Sequence, residues 1–243
     1  MFAVPAQAGV IFTNNKTSIS ANGLIDQHPA GFTDQFSEVS VYPKTDLPLI
    51  FSTSHSGEIF ADSPATEVNS RAELDYEVTK PATNQWQLLG TLASSAEISE
   101  SIGVGKVKSG SEVSVDIDFT LTSQYSYLID LDFAVFSEDE YQEPFTFEHN
   151  FSKAELVYLS TGKTIFDISV DDDFSTILSG DLYAGDYQFS LNVYSEIFED
   201  GSVFANLDTT VQLSEVPLPA SLPLLLSGMV LLGLYRKTII SKG

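Results

Sequence analysis

Four aspartates, Asp116, Asp118, Asp130 and Asp132, stand within runs of alternating apolar and polar residues, where aspartate is ordinarily depleted. If residues 113–121 and 129–135 pair as a hairpin closed near residues 123–125, Phe119 lies opposite Ile129 and Ile117 opposite Leu131. Asp118 then faces Asp130, and Asp116 faces Asp132. Like charges directly across a ladder destabilise it, and a bound Ca²⁺, which takes hard carboxylate oxygens, would reverse the sign. The four form a Ca²⁺ site or a solvated acidic face, or else their strands are not neighbours at all. Asp171-Asp172-Asp173 and Glu138-Asp139-Glu140 add acids where turns are expected. Neither has the spaced acids, glycine and distal glutamate of an EF-hand loop.

Other constellations reduce to turns or core. Gly162-Lys163-Thr164 imitates the end of a phosphate-binding loop, but the first glycine of that motif falls on Val157. Ser160 to Lys163 matches S-x-x-K yet lies between two strand-like runs rather than opening a helix. His28, His55 and His149 are scattered, with neither H-E-x-x-H nor G-x-S-x-G, so the chain reads as non-enzymatic. Trp86 shares one side of a short strand with Leu88: it is either a core residue or a sugar-stacking platform. Tyr42, Tyr194, Phe198 and Phe204 carry the same ambiguity.

The elements that position these residues are strands. Val113, Val115, Ile117, Phe119 and Leu121 alternate with Ser114, Asp116, Asp118 and Thr120, the period of a half-buried strand. Ile129, Leu131, Phe133 and Val135 repeat it, as do Tyr187, Phe189, Leu191 and Val193, and then Val203, Ala205, Leu207, Thr209, Val211 and Leu213. Shorter strands are expected at residues 9–13, 73–79, 85–89, 154–159 and 164–170, with turns at Ser109-Gly110, Thr161-Gly162, Ala184-Gly185 and Asp200-Gly201. The predicted fold is all-β, an antiparallel, jelly-roll-like β-sandwich over residues 9–213, with a barrel as the alternative. Residues 9–95, and 25–72 above all, read as less regular and loop-rich. Parity predicts a three-residue loop or a bulge if the last two strands form a hairpin.

Charge and composition exclude several classes. There are 34 Asp+Glu against 11 Lys+Arg, and Arg236, Lys237 and Lys242 lie in the tail, leaving eight bases against all the acids. With no basic patch, phosphate neutralisation and hence nucleic-acid binding are excluded. Cysteine is absent, which removes thiolate metal sites, catalytic cysteine and disulfides.

The two ends carry addresses. Ala6-Gln7-Ala8 before Gly9 has the small-x-small form of a signal-peptide cleavage site. Residues 1–8 are therefore expected to be the remnant of a signal peptide. At the other end, residues 214–219 read as a linker into residues 220–235, sixteen without a charge. As a transmembrane helix these span about 24 Å at about 1.5 Å per residue, against a hydrocarbon core of about 30 Å. Arg236 and Lys237 stop transfer and hold residues 236–243 in the cytoplasm, with everything before the helix outside it.

Val216-Pro217-Leu218-Pro219-Ala220, then an apolar stretch containing Ser227-Gly228, then Arg236-Lys237, resembles the VPLPA form of the PEP-CTERM sorting signal of Gram-negative bacteria. The resemblance covers 22 of 243 residues, and residues 238–243 depart from it in being longer and more apolar than the usual basic finish. It implies an exosortase, a membrane cysteine protease, as partner, in organisms that make exopolysaccharide. The protein is then expected first in the inner membrane with a periplasmic domain and later at the cell surface or outside the cell. There its role would be structural or adhesive, within a biofilm or exopolysaccharide matrix. A carbohydrate-binding module with an aromatic or Ca²⁺ site is the alternative, and a secreted enzyme the third reading.

Overall fold

Period-two alternation recurs along most of the chain, and a computed structural model shows how it is used. It describes residues 9–27, 32–43, 51–63, 66–82, 84–99, 105–138, 147–198 and 201–217. They contain twelve strands: β1 (Val10–Gln27), β2 (Phe32–Pro43), β3 (Phe51–Ser63), β4 (Thr66–Ala82), β5 (Gln85–Ser99), β6 (Gly105–Leu121), β7 (Tyr125–Glu138), β8 (Phe147–Tyr158), β9 (Lys163–Val170), β10 (Phe174–Leu182), β11 (Gly185–Phe198) and β12 (Gly201–Glu215). Two antiparallel six-stranded sheets result, ordered β2-β1-β6-β11-β8-β9 and β10-β7-β12-β5-β4-β3. They pack face to face as a β-sandwich.

The predicted apolar faces are the buried ones. Val113, Val115, Ile117, Phe119 and Leu121 of β6 face inward, as do Ile129, Leu131 and Phe133 of β7 and Tyr187, Phe189, Leu191 and Val193 of β11. Burying each such side chain stabilises the fold by about 1.5–3 kcal/mol before entropy is charged.

The pairing differs from the expectation. Only β1–β2, β3–β4, β4–β5 and β8–β9 are hairpins; every other connection crosses from one sheet to the other. Residues 122–124 carry the chain from β6 over to β7, so these strands lie in opposite sheets instead of sharing a ladder. β6 pairs with β1 and β11, and β7 with β10 and β12. Likewise β11 and β12 lie in opposite sheets, so no hairpin loop is needed at Asp200-Gly201. The reason is burial: strands whose apolar faces must meet can do so across the interior of a sandwich as well as side by side in a sheet. The stretch at 25–72, expected to be loop-rich, supplies the end of β1, all of β2 and β3 and the start of β4. β1 pairs along nearly its whole length with β6, so long-range pairing overrides the weak local signal of its serines and asparagines.

The core tapers along the strands. One end is filled by large side chains, among them Tyr76, Val78, Trp86, Leu88, Phe119, Tyr125, Tyr187 and Leu213. A chain of rings crosses it: Tyr158 to Tyr187 at 5.1 Å, Tyr187 to Phe119 at 5.5 Å, Phe119 to Phe12 at 6.4 Å and Phe12 to Trp86 at 5.4 Å. Toward the other end the inward positions become Ser70, Ala72, Ser94, Ala96, Ser109, Ser111 and Ser195, all buried. There the sheets hydrogen-bond to each other through side chains. Ser70 Oγ meets Ser109 Oγ at 2.7 Å, Ser94 Oγ meets Ser195 Oγ at 2.7 Å, and Ser111 Oγ donates to the Ser95 carbonyl at 3.0 Å. Such contacts require a sheet separation well inside the usual value of about 10 Å. Beyond this waist a small second cluster, Val68, Ala96, Ile98, Ile197 and Val203, closes the sandwich.

Candidate functional site

The four aspartates do not meet. Because β6 and β7 lie in different sheets and these residues point outward, Asp116 and Asp118 sit on one outer face of the sandwich and Asp130 and Asp132 on the other. The expected Asp118–Asp130 and Asp116–Asp132 pairs, and a Ca²⁺ site built from them, are therefore corrected by the fold.

On β6 the carboxylates are matched to donors on neighbouring strands. Asp118 accepts from Gln188 Nε2 at 2.9 Å and Asn14 Nδ2 at 3.3 Å; Asp116 accepts from Ser190 Oγ at 2.7 Å, with Lys16 directly opposite in register. Glu112 accepts from Asn192 Nδ2 at 2.8 Å and Asp186 from Thr120 Oγ1 at 2.6 Å. On the far sheet, Asp132 faces Asp208 of β12, a pairing that residue alternation by itself does not indicate. Asp208 accepts from Thr91 Oγ1 at 2.6 Å and Asn206 Nδ2 at 3.1 Å. Asp130, Asp132 and Asp208 line a shallow depression with Leu89, Thr91 and Ser175. Among the described residues, no three His, Asp or Glu converge closely enough to hold a metal ion. This arrangement is an acidic surface.

Trp86 is a core residue, 3% exposed, with Lys80 Nζ 4.9 Å from its ring centroid and Phe12 edge-on against it. Its parity with Leu88 points it into the wide end of the core, so its face is closed to a sugar. A cavity of about 30 Å³ beside it is lined by apolar side chains that include Phe12, Ile117, Ile129, Leu156 and Val211. Among exposed aromatics the structure instead pairs Phe136, 55% exposed, with Phe204, 37% exposed, directly across β7 and β12. Ser160 to Lys163 form the β8–β9 turn, with Gly162 at φ 67°. This left-handed conformation favours glycine there. The backbone puts His55 in β3 and His149 in β8, on different sheets; His28 lies outside the described residues.

Gly9 and Val216, near the two limits of the described residues, are brought to one place. Thr122 N donates to the Gly9 carbonyl at 3.0 Å, Gly9 N donates to Thr122 Oγ1 at 2.7 Å, and Val216 N donates to the Gln124 carbonyl at 3.0 Å. One three-residue crossing therefore holds both the first and nearly the last described residue. Glu215 N donates to the Asn84 carbonyl at 2.9 Å, fixing β12 to the β4–β5 turn as well. The wide, aromatic end of the core lies directly beneath. Burial, and then the charge of Glu215, raise the phenol of Tyr125 above the usual tyrosine range. Burial also raises that of Tyr187, whose hydroxyl donates to the Tyr183 carbonyl at 2.9 Å. Both stay neutral at physiological pH. On the rim, Tyr183 is 69% and Leu159 44% exposed. Of the motif, Val216 and Pro217 are described; Leu218, Pro219, Ala220, Arg236, Lys237 and the expected cleavage residues Ala6 and Ala8 lie outside. Among the described residues no helix is long and apolar enough to cross a membrane.

No protein-family model and no curated protein matches the chain. Among solved structures, a chain from the structure of infectious bursal disease virus Gt strain aligns over 88% of this chain at 7% identity, with a TM-score of 0.17. The present chain spans 64% of that chain.

Proposed function

We propose that the protein is an exported, non-catalytic, jelly-roll-like β-sandwich with a short C-terminal transmembrane helix, sorted through Val216-Pro217-Leu218-Pro219-Ala220. Residues 220–235 hold the precursor in the inner membrane with the sandwich on the periplasmic side, and an exosortase-type protease then processes the tail. The product reaches the cell surface or the extracellular matrix, where it serves a structural or adhesive role in exopolysaccharide or biofilm. The observation that carries this reading is an order of residues: motif, uncharged stretch and Arg236-Lys237 follow the last core strand without an intervening domain. Attachment of Gly9 and Val216 to residues 122–124 supports it, since segments that leave the sandwich at one place can be presented to one bilayer.

The test is the mass of the protein recovered from the envelope and medium of its native host, beside a version with residues 216–220 replaced by Gly and Ser. Cleavage near Pro219 with release, lost in the variant, is the expected outcome. Full-length, membrane-bound protein in both cases would reduce the tail to an anchor.

The carbohydrate-binding alternative rests on Phe136 and Phe204 rather than Trp86, because adjacent exposed rings offer the apolar faces that sugars stack on. Saturable binding of the matrix polysaccharide, lost in Phe136→Ala, would favour it.

A further inference from the structure

We infer that the wide end of the sandwich is a lipid-contact surface, seated on the outer leaflet of the inner membrane through Tyr183 and Leu159 for as long as the tail is uncut. The inference rests on the proposed membrane insertion of residues 220–235 and adds to it a second site of contact.

Chain length carries the argument. Val216 is fixed to the sandwich by its amide, which donates to the Gln124 carbonyl at 3.0 Å. From there to Ala220, the first residue of the uncharged stretch, is four Cα steps, at most about 14 Å when fully extended. The headgroup layer takes up about 5–7 Å of that. A helix of about 24 Å is also shorter than the hydrocarbon core, and such mismatch draws flanking residues toward the bilayer or thins it. The wide end is therefore held within a side chain's length of the headgroups, at the high effective concentration that a short linker imposes.

The residues at this end suit that position. Tyr183, in the β10–β11 connection, and Leu159, whose amide donates to the Asp186 carbonyl at 2.9 Å, are large apolar groups left in water by the sandwich. Tyrosine favours the headgroup level, where its ring is apolar and its hydroxyl wet. Lys163 and Lys80 supply cations at the same end. Asp181, Asp186 and Glu215 supply anions, of which Asp186 is engaged by Thr120. This end thus carries exposed apolar side chains together with mixed charge.

The test uses the absence of native cysteine. The full chain is reconstituted into phosphatidylethanolamine–phosphatidylglycerol vesicles, with one environment-sensitive fluorophore attached at Tyr183→Cys, Leu159→Cys, Asp172→Cys or Leu225→Cys. A nitroxide lipid labelled just below the headgroup is the quencher. Labels at 183 and 159 are expected to lose about half their emission, since interfacial groups sit about 5–10 Å into the headgroup–acyl boundary. The label at Asp172, exposed in the β9–β10 crossing at the opposite end of those two strands, is expected to lose none, and the one at Leu225 is quenched as part of the span. Quenching at 225 without quenching at 183 and 159 overturns the contact surface and leaves the anchor standing. Absence of quenching at 225 overturns both. Equal quenching at 172 and 183 means that the sandwich lies on its side, which also refutes the proposal.

Discussion

Replacing Asp132 by Asn is expected to stabilise the sandwich, whereas the same change at Asp116 destabilises it. Both are strand aspartates flanked by apolar residues, and the difference is entirely in what each faces. Asp132 stands directly opposite Asp208, both exposed, and Asp208 is held in place by Thr91 and Asn206. Directly opposed side chains have Cβ atoms about 4.5–5.5 Å apart. Two unit charges about 5 Å apart in a water-like dielectric repel by about 0.8 kcal/mol. Screening at moderate salt lowers this to about 0.5 kcal/mol, and in 1 M salt, where the Debye length is about 3 Å, little remains. For a domain of this size the Asn variant should melt about 2 °C higher at low salt. Asp116 instead accepts from Ser190 and faces Lys16. Neutralising it removes a charge-assisted bond, at a cost of about 0.5–1.5 kcal/mol. Because the whole chain carries −23, any Asp→Asn change also relieves general repulsion, and Asp172→Asn, at an exposed turn, measures that background. Thermal denaturation of the three variants at low and high salt is the assay. Equal shifts at 132 and 116, once the Asp172 shift is subtracted, would refute the assignment of their partners.

Trp86→Ala should cost about 3–5 kcal/mol, and in the native protein the indole should resist acrylamide; ready quenching would place it outside the core. Val211→Ile adds one methylene beside the 30 Å³ cavity and should raise stability by about 0.8 kcal/mol; a fall in denaturant midpoint would mean that the cavity cannot accept it. Ser109→Leu forces bulk into the waist where Ser109 meets Ser70 and should destabilise by about 1–3 kcal/mol through overpacking, whereas a neutral result would show that the sheets can separate there. Tyr125, Tyr187 and Tyr194 have folded-state pKa values raised chiefly by burial, above an unfolded value of about 10. Their contribution to stability is therefore complete below about pH 10 and lost as pH rises further. A near-ultraviolet absorbance titration should show the buried phenols of Tyr125 and Tyr187 ionising only together with alkaline unfolding; ionisation without unfolding would contradict their burial.

Residue alternation made β6, β7, β11 and β12 legible, because a strand buried on one face must repeat every two residues whatever its partners are. It did less well where buried positions are filled by small polar residues. Ser109 and Ser111 continue the inward parity of β6, and Ser195 that of β11, yet serine signals solvent in a pattern based on hydrophobicity. Extending the parity of Val113 backwards would have found them. β1 was nearly invisible for the same reason, with Asn15 and Thr17 among its buried positions. The sequence by itself determined the strand periods, the faces that turn inward, the acidity, the lack of thiol chemistry and the order of residues in the tail. Only the tertiary structure decided which sheet each strand joins, and with it which aspartates are partnered and which face a like charge. It also decided that Gly9 and Val216 meet at one crossing. The physical reason is that a period of two records whether a residue faces the core but not the direction from which the core is approached. A short crossing between sheets and a tight hairpin within one look alike in residues 122–124.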